Sequence, residues 1–280
     1  MGSDPGSSLA APRITVVGSI NLDLVVRTER LPRPGETVSG EAFARVPGGK
    51  GANQALACAR LGAAVTLVGV VGRDPFADEA LTELRRAEVE LRLAESDEPT
   101  GVALIVVDGA GETTIVVAPG ANATLGEVEL PPHDAVLCQL EVPDAAVVSA
   151  WERCTGLFCL NAAPARAVRV DPDLTVVNRL ELDALTRRDG LVAVTLGAEG
   201  ALLLEDGEEI ARAVPPSVEP VDGTAAGDAF TACLLVSLLA ERDPREALEW
   251  ACAAGALAAS RFGAQPSLPA AAEIEEILAL

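Results

Sequence analysis

The chain has 280 residues, 49% apolar and 22% charged, and its 21 Lys and Arg stand against 42 Asp and Glu, for a formal net charge of −21. That length suits one large domain or one with an insertion, the apolar fraction excludes intrinsic disorder, and no apolar stretch is long enough to cross a bilayer. An acidic surface repels phosphate backbones and anionic lipid, so neither nucleic acid nor membrane is an expected partner, whereas a nest of backbone N–H groups can still bind a small anion.

Residues 1–12 (MGSDPGSSLAAP) lack a basic or apolar leader segment and read as a disordered tail or expression remnant, leaving residues 13–280 as one α/β domain. Residues 13–20 (RITVVGSI) form a β-branched apolar run, as expected of a strand buried on both faces. Residues 51–63 have helical spacing and stop at Gly62, and 65–71 (VTLVGVV) follow as a second buried strand. The pattern then predicts a helix over 76–87, a strand over 135–140, a helix over 144–154 and strands over 157–160, 174–177 and 191–196. Helices are predicted over 227–239, 244–262 and 270–280. Strand alternating with helix implies a mostly parallel sheet with helices on both faces, a three-layer α/β/α architecture. Two stretches, 21–46 and 91–117, have period-2 character and turn glycines instead, the second turning through Asp108-Gly109-Ala110-Gly111. They are expected to form a small β-sheet lid over the site.

The six cysteines, Cys58, Cys138, Cys154, Cys159, Cys233 and Cys252, include no C-x-x-C pair and sit mostly in apolar runs, as buried free thiols in a reducing compartment, the cytoplasm. His133 is the one histidine, which excludes a His-rich metal cluster and argues against a hydrolase triad. With no Tyr and only Trp151 and Trp250, aromatic stacking contributes little to any ligand site.

Three segments carry chemistry. Thr224-Ala225-Ala226-Gly227-Asp228 stands directly before an apolar helix. Small residues there leave backbone N–H groups converging on an anion, and a carboxylate in the first turn can take a proton from a hydroxyl attacking phosphorus; a helix cap alone would use the same residues. Pro47-Gly48-Gly49-Lys50-Gly51-Ala52-Asn53 also opens a helix, with Lys50 and Asn53 offering polar heads suited to sugar hydroxyls. It is not a Walker A loop, since Gly51 stands where Ser or Thr is required, and no G-x-G-x-x-G follows a strand. Asn21 and Asp23, two residues apart, face one side of an extended chain at the end of the first strand.

Asn21-Leu-Asp23, PGGKGANQ (47–54), TGVALI (100–105), GANA (120–123), QLE (139–141), NAAPAR (161–166), DGTAAGDAF (222–230) and GAQPSLP (263–269), in that order, resemble the ribokinase-like (PfkB) carbohydrate kinase family. The resemblance implies an ATP-dependent sugar kinase with the ribokinase-like three-layer fold. Asn21, Asp23, Gly49, Lys50, Asn53 and Glu141 would bind the sugar, Asp228 would be the catalytic base, and Ala225, Ala226 and Gly227 would form the anion hole. Asn178, Thr195, Gly197 and Gly200 would lie on the nucleotide side, with Glu181 of the N-x-x-E motif placing Mg²⁺ through water. Asp222, Thr224, Gly263 and Ser267, with main-chain carbonyls of Ala258 and Arg261, would hold an activating K⁺. The acceptor would be a pentose such as D-ribose, another sugar or a nucleoside; loss of turnover would leave a sugar-binding protein. The chain is short for the family between residues 125 and 132 and between 181 and 192, which thins the nucleotide side. Exposed lid strands also offer edges that a second copy can cover, so a homodimer through the lid is expected.

Overall fold

The structure is a computed structural model and describes residues 10–109, 113–183, 185 and 190–279. Strands β1 (Arg13–Val17), β2 (Asn21–Arg27) and β3 (Ala42–Gly48) lead into α1 (Lys50–Arg60), followed by β4 (Ala64–Gly72), α2 (Pro75–Ala80), α3 (Thr82–Arg86) and β5 (Glu90–Ser96). After β6 (Gly101–Val107) and β7 (Thr113–Ala118) come β8 (Ala135–Gln139), α4 (Asp144–Arg153), β9 (Leu157–Asn161), β10 (Leu174–Asn178), α5 (Arg179–Leu182) and β11 (Leu191–Thr195). The chain ends with β12 (Ala201–Glu205), β13 (Glu208–Ala213), α6 (Ala226–Leu239), α7 (Pro244–Ala259), α8 (Ala264–Ser267) and α9 (Ala271–Leu278).

The large sheet runs β13-β12-β11-β10-β9-β8-β1-β4-β5 and is parallel from β11 to β5. Its strands are apolar on both faces, as the continuous β-branched runs require. Ile14, Val16, Leu67, Leu137 and Val176 pack on one face with residues of α1, α6 and α7, while Val17, Val68, Val136, Phe158 and Val177 pack on the other with α4. Helix α6 is apolar around its circumference because it lies between α1 and α7. Strand order reverses beside β1, which pairs with β4 on one side and β8 on the other, so the carboxyl ends of β1 and β8 frame the crevice where open α/β sheets bind ligands.

The small sheet runs β3-β2-β6-β7, with β2 and β6 parallel and both flanking pairs antiparallel. Val25, Val46, Ala103 and Ile105 form its buried side, and Phe43, Leu104, Ile115, Val116 and Val117 are exposed.

Four expectations are corrected. The lid stretch 91–117 divides: β5 pairs in parallel with β4 at the edge of the large sheet, and only β6 and β7 join the lid. The helix over 76–87 bends at Leu81, whose ψ of −1° turns the chain while Leu81 and Leu84 both stay buried. Asn21 and Asp23 belong to β2, since the first strand ends at Val17 and the chain crosses into the lid. The helix over 244–262 ends at Ala259, before the left-handed Gly263 (φ 85°) starts α8. A feature the sequence reading passed over is the antiparallel β12–β13 hairpin, closed by Asp206 and Gly207 at φ 51° and 88°, the signature of a two-residue Asp-Gly turn. Between β7 and β8 the expected missing helix is replaced by a 3-10 turn over Gly120–Thr124 and irregular chain. The lid turn at Ala110 and Gly111, residues 184 and 186–189 of the shortened 181–192 connection and residues 1–9 of the tail lie outside the described residues.

Candidate active site

The polar residues gather where the strand ends meet three segment junctions. Gly49 joins β3 to α1 at φ 87°, and a Cβ there would stand 2.7 Å from the Asn21 amide, so only glycine lets the two segments approach. A Cβ on Gly48 would lie 2.3 Å from Asp23 Oδ2, so the missing side chain is the space that the Asp23 carboxylate occupies. Asn122 Nδ2 donates to Asn21 Oδ1 (2.8 Å) and the Ile20 amide donates to Asn122 Oδ1 (2.9 Å), which fixes how Asn21 is presented. Glu141, just past β8, accepts from Ser19 Oγ (2.6 Å) and from the Lys50 amide (3.1 Å), so one of its oxygens caps the start of α1.

Asp228 is buried in the first turn of α6 and accepts from Asn53 Nδ2 at Oδ2 (2.9 Å) and from Gln54 Nε2 at Oδ1 (2.8 Å). Burial pushes its carboxyl upward, while the Lys50 charge and the Asn53 and Gln54 donors pull it back. The charge of Asp228 in turn raises Lys50 above its ordinary range. Asp23 is pushed up to about 7, first by burial and then by Glu141, Asp228 and Asp222, and its carboxylate has no hydrogen-bond partner among the described residues. A buried carboxylate without donors beside three others is costly for a fold and suited to a hydroxyl-bearing ligand. A cleft of about 540 Å³ opens beside Lys50 and Glu141 and extends under Val117 and Ala123 of the lid side.

The amides of Ala225, Gly227 and Asp228 have no acceptor among the described residues, whereas Ala226 N closes a turn on Gly223 O (3.2 Å). Two of the three expected anion-hole positions, Ala225 and Gly227, thus have unpaired amides, and the Asp228 amide is unpaired beside them.

Asp222 Oδ2 accepts from the Gly263 amide (2.9 Å), and its Oδ1 accepts from the Thr224 amide (3.0 Å) and hydroxyl. Val221 and Asp222 donate their amides to Ala259 O (2.8 and 3.0 Å), so the Asp222 loop is laced to the carboxyl end of α7. Ala258 O accepts from Arg261 N (3.2 Å), and Ser267 Oγ, buried, donates to Ala264 O (2.8 Å).

Asn178 and Thr195, paired across the sheet, end β10 and β11, and Gly197 and Gly200 follow β11. Asn178 and Glu181 hold each other in a reciprocal cap: Glu181 N donates to Asn178 Oδ1 and Asn178 N to Glu181 Oε2, both at 2.8 Å. Glu181 still contributes to the field that raises Lys50. Thr195 Oγ1 donates to Val177 O (3.4 Å), and Gly197 and Gly200 close a tight turn at φ 62° and 98°. Sequence reasoning missed Gln54, Gln139 and Asn161 as site residues, although each stands inside a quoted motif, and it missed Ser19.

Residues 11–150 and 133–271 match the pfkB family carbohydrate kinases. The chain belongs to this family. Among pfkB-family relatives, the ribokinase of Bacillus subtilis is 35% identical, the match covering 95% of this chain and 99% of that one. The crystal structure of ribokinase from Thermotoga maritima superposes with a TM-score of 0.86 at 31% identity, over 96% of this chain and 100% of the other. The Arabidopsis thaliana ribokinase structure, complexed with ribose and ATP, does so with a TM-score of 0.81 at 29% identity, over 96% and 99%. Both structures superpose over nearly the whole chain, so the ribokinase-like fold expected from the sequence is the one observed.

Proposed function

We propose that this chain transfers the γ-phosphoryl group of ATP to the 5-hydroxyl of D-ribose, giving ribose 5-phosphate and ADP. The observation that carries this reading is Asp228, a buried carboxylate between two amide donors, beside unpaired backbone N–H groups at the start of the 14-residue helix α6. Phosphoryl transfer asks mainly for positioning and charge stabilisation, and these groups supply both. Asp228 accepts the proton of the 5-hydroxyl as its oxygen attacks phosphorus; that O–P bond forms as the bond to ADP breaks. The amides of Ala225 and Gly227, reinforced by the α6 dipole, face the charge that develops on the phosphoryl oxygens. Asn21, Asp23, Gly49, Lys50, Asn53 and Glu141 hold the sugar, with Asp23 accepting from ring hydroxyls and Lys50 donating. Asn178, Thr195, Gly197 and Gly200 form the nucleotide side.

Two ions fit this chemistry. The single carboxylate of Asp222 beside the carbonyl-rich end of α7 is a hard-oxygen set of low charge, suited to a monovalent cation such as K⁺ with Thr224, Ala258, Arg261, Gly263 and Ser267 around it. Bound there, K⁺ would add positive potential beside the anion hole. No group of three or more His, Cys, Asp or Glu converges as a metal site among the described residues. A Mg²⁺ carried on ATP would be steadied by Glu181 through water, where it would neutralise phosphate charge.

Phe43, Leu104 and Val116 are exposed on the lid face turned away from Ala103 and Ile105, and this apolar face supports a homodimer joined through the lids. Free thiols at all six cysteines suit a reducing cytoplasm. Among the described residues no helix is long and apolar enough to cross a membrane.

The test is ADP release from MgATP with D-ribose, with and without K⁺, in the native protein and in Asp228→Asn. Ribose-dependent turnover that falls about 10²–10⁴-fold in the variant is expected, with stimulation by K⁺. Turnover only with another sugar or a nucleoside would move the acceptor, and an Asp228→Asn enzyme as fast as the native one would remove Asp228 as the base.

A further inference from the structure

Three side-chain amides join Asp228 to the large sheet. Asn161 Nδ2, at the end of β9, donates to Val176 O of β10 (3.2 Å). A backbone carbonyl can only accept, so the NH₂ of Asn161 must face it and Asn161 Oδ1 must face inward. Gln54 Nε2 donates to that Oδ1 (3.0 Å), and Gln139 Nε2, at the end of β8, donates to Gln54 Oε1 (2.7 Å). The NH₂ end of the Gln54 amide is thereby specified through Asn161, and Gln139 meets its Oε1. Its second N–H is left for Asp228 Oδ1 at 2.8 Å. Every member is buried, so water does not compete.

The other oxygen of Asp228 meets a different kind of partner. Asn53 Nδ2 donates to Oδ2 (2.9 Å), but Asn53 Oδ1 is buried without a partner. Its amide is pinned on one side only, and a half-turn would present an acceptor to a proton on Oδ2. Gln54 has no such freedom, because turning it would set Gln54 Oε1 against Asn161 Oδ1, which the Val176 carbonyl holds in place; Gln139, whose own Oε1 is buried without a partner, follows Gln54 rather than fixing it.

We propose that Gln54 is a positioning residue that keeps Asp228 Oδ1 a permanent hydrogen-bond acceptor and so reserves Oδ2, the oxygen on the Asn53 side, for the proton taken from substrate. The orientation originates in the Val176 carbonyl and reaches the base through Asn161 and Gln54. It rests on the reading of Asp228 as the base. In the transfer, the substrate O–H bond breaks, the proton bonds to Oδ2, the substrate oxygen bonds to the γ-phosphorus, and the bond from that phosphorus to ADP breaks. Lys50 on α1, Glu141 after β8 and Asp23 on β2 are the other charged groups near Asp228, and the variants below leave all three in place.

The experiment compares steady-state kinetics of native protein, Gln54→Leu, Asn161→Leu and Asp228→Asn between pH 5 and 9, with thermal melting as a check on folding. Loss of a donor to a charged group is expected to lower kcat at least about tenfold in Gln54→Leu, with the sugar KM changed less than about threefold. The acid limb of kcat/KM should move to higher pH, because the carboxylate loses a stabilising N–H. Asn161→Leu, farther from the base, should show the same shift to a smaller extent. A neutron structure of the native protein at low pD covers the case in which Gln54→Leu does not fold: a deuteron on Asp228 Oδ2 is expected, and one on Oδ1 overturns the proposal. So does a folded Gln54→Leu with native kcat, or one whose kcat falls with an unmoved pH profile. If Asp228→Asn is inactive and Gln54→Leu is native-like, this proposal alone fails; an active Asp228→Asn brings down the base reading beneath it.

Discussion

Asp23 shows most directly how the site trades stability for function. Its carboxyl rises from 3.8 to about 7 on folding, first through burial and then through Glu141, Asp228 and Asp222. A folded-state value above the unfolded one means the folded chain binds more protons between those two pH values, so stability falls as pH rises from about 4 to about 7 and then levels off. Asp228 shifts in the same direction and adds to the slope. Replacing Asp23 by Asn removes the ionisation, and at pH 8 the ligand-free protein is expected to gain roughly 2–4 kcal/mol, an upper range given the coupling among these carboxylates. Melting curves from pH 5 to 9 check this: the variant should melt higher at pH 8 with a shallower pH dependence, and its sugar KM should rise. A variant that melts at or below the native temperature at pH 8 would show that Asp23 is not the strained group.

At the scale of elements, the β3–α1 junction couples lid to base. Lys50, Asn53 and Gln54 all lie on α1, and the angle at which α1 leaves β3 is set at Gly49, where φ is 87° and a Cβ would meet Asn21 N at 2.7 Å and Ser19 O at 2.9 Å. Gly49→Ala is expected to cost about 1–3 kcal/mol in urea unfolding and to raise the sugar KM, since the whole set moves together; an unchanged midpoint and KM would show that the junction yields freely. Such junctions were legible in the sequence, because glycine and small residues before an apolar helix have few other uses, and GGKGAN and TAAGD both proved to be helix starts. β5 was not legible as part of the large sheet. Its sequence ELRLAES alternates in burial as a lid strand would, and only its pairing with β4 decides the sheet. The amide chain was hidden for a related reason: Gln54 and Asn161 are 107 positions apart, and no local pattern distinguishes a buried glutamine that orients a carboxylate from one that fills space. Glu181 illustrates the converse, a motif whose visible geometry is a helix cap.

At the scale of the whole molecule, charge and apolar surface oppose each other. Each chain carries a formal charge of −21, so two copies repel over distances that salt screens, with a Debye length of roughly 30 Å at 0.01 M falling to about 8 Å at 0.15 M. The lid's outer face is apolar instead, with Phe43 63% and Val116 60% exposed, and contact between such faces buries surface whose contribution does not depend on screening. β3 and β7 are the two edges of that sheet and add unpaired backbone groups for a partner to cover. A lid-to-lid dimer should therefore tighten as salt rises, opposite to an assembly held by ion pairs. Sedimentation equilibrium at about 0.02 and 0.5 M sodium chloride reads this sign. The dimer dissociation constant is expected to fall several-fold across that range, and Val116→Glu, which places a charge in the apolar face, should leave monomer at both. Dimers that weaken with salt would place the interface on charged surface instead. A native protein monomeric at every concentration would leave the lid's apolar face without a second copy to cover it.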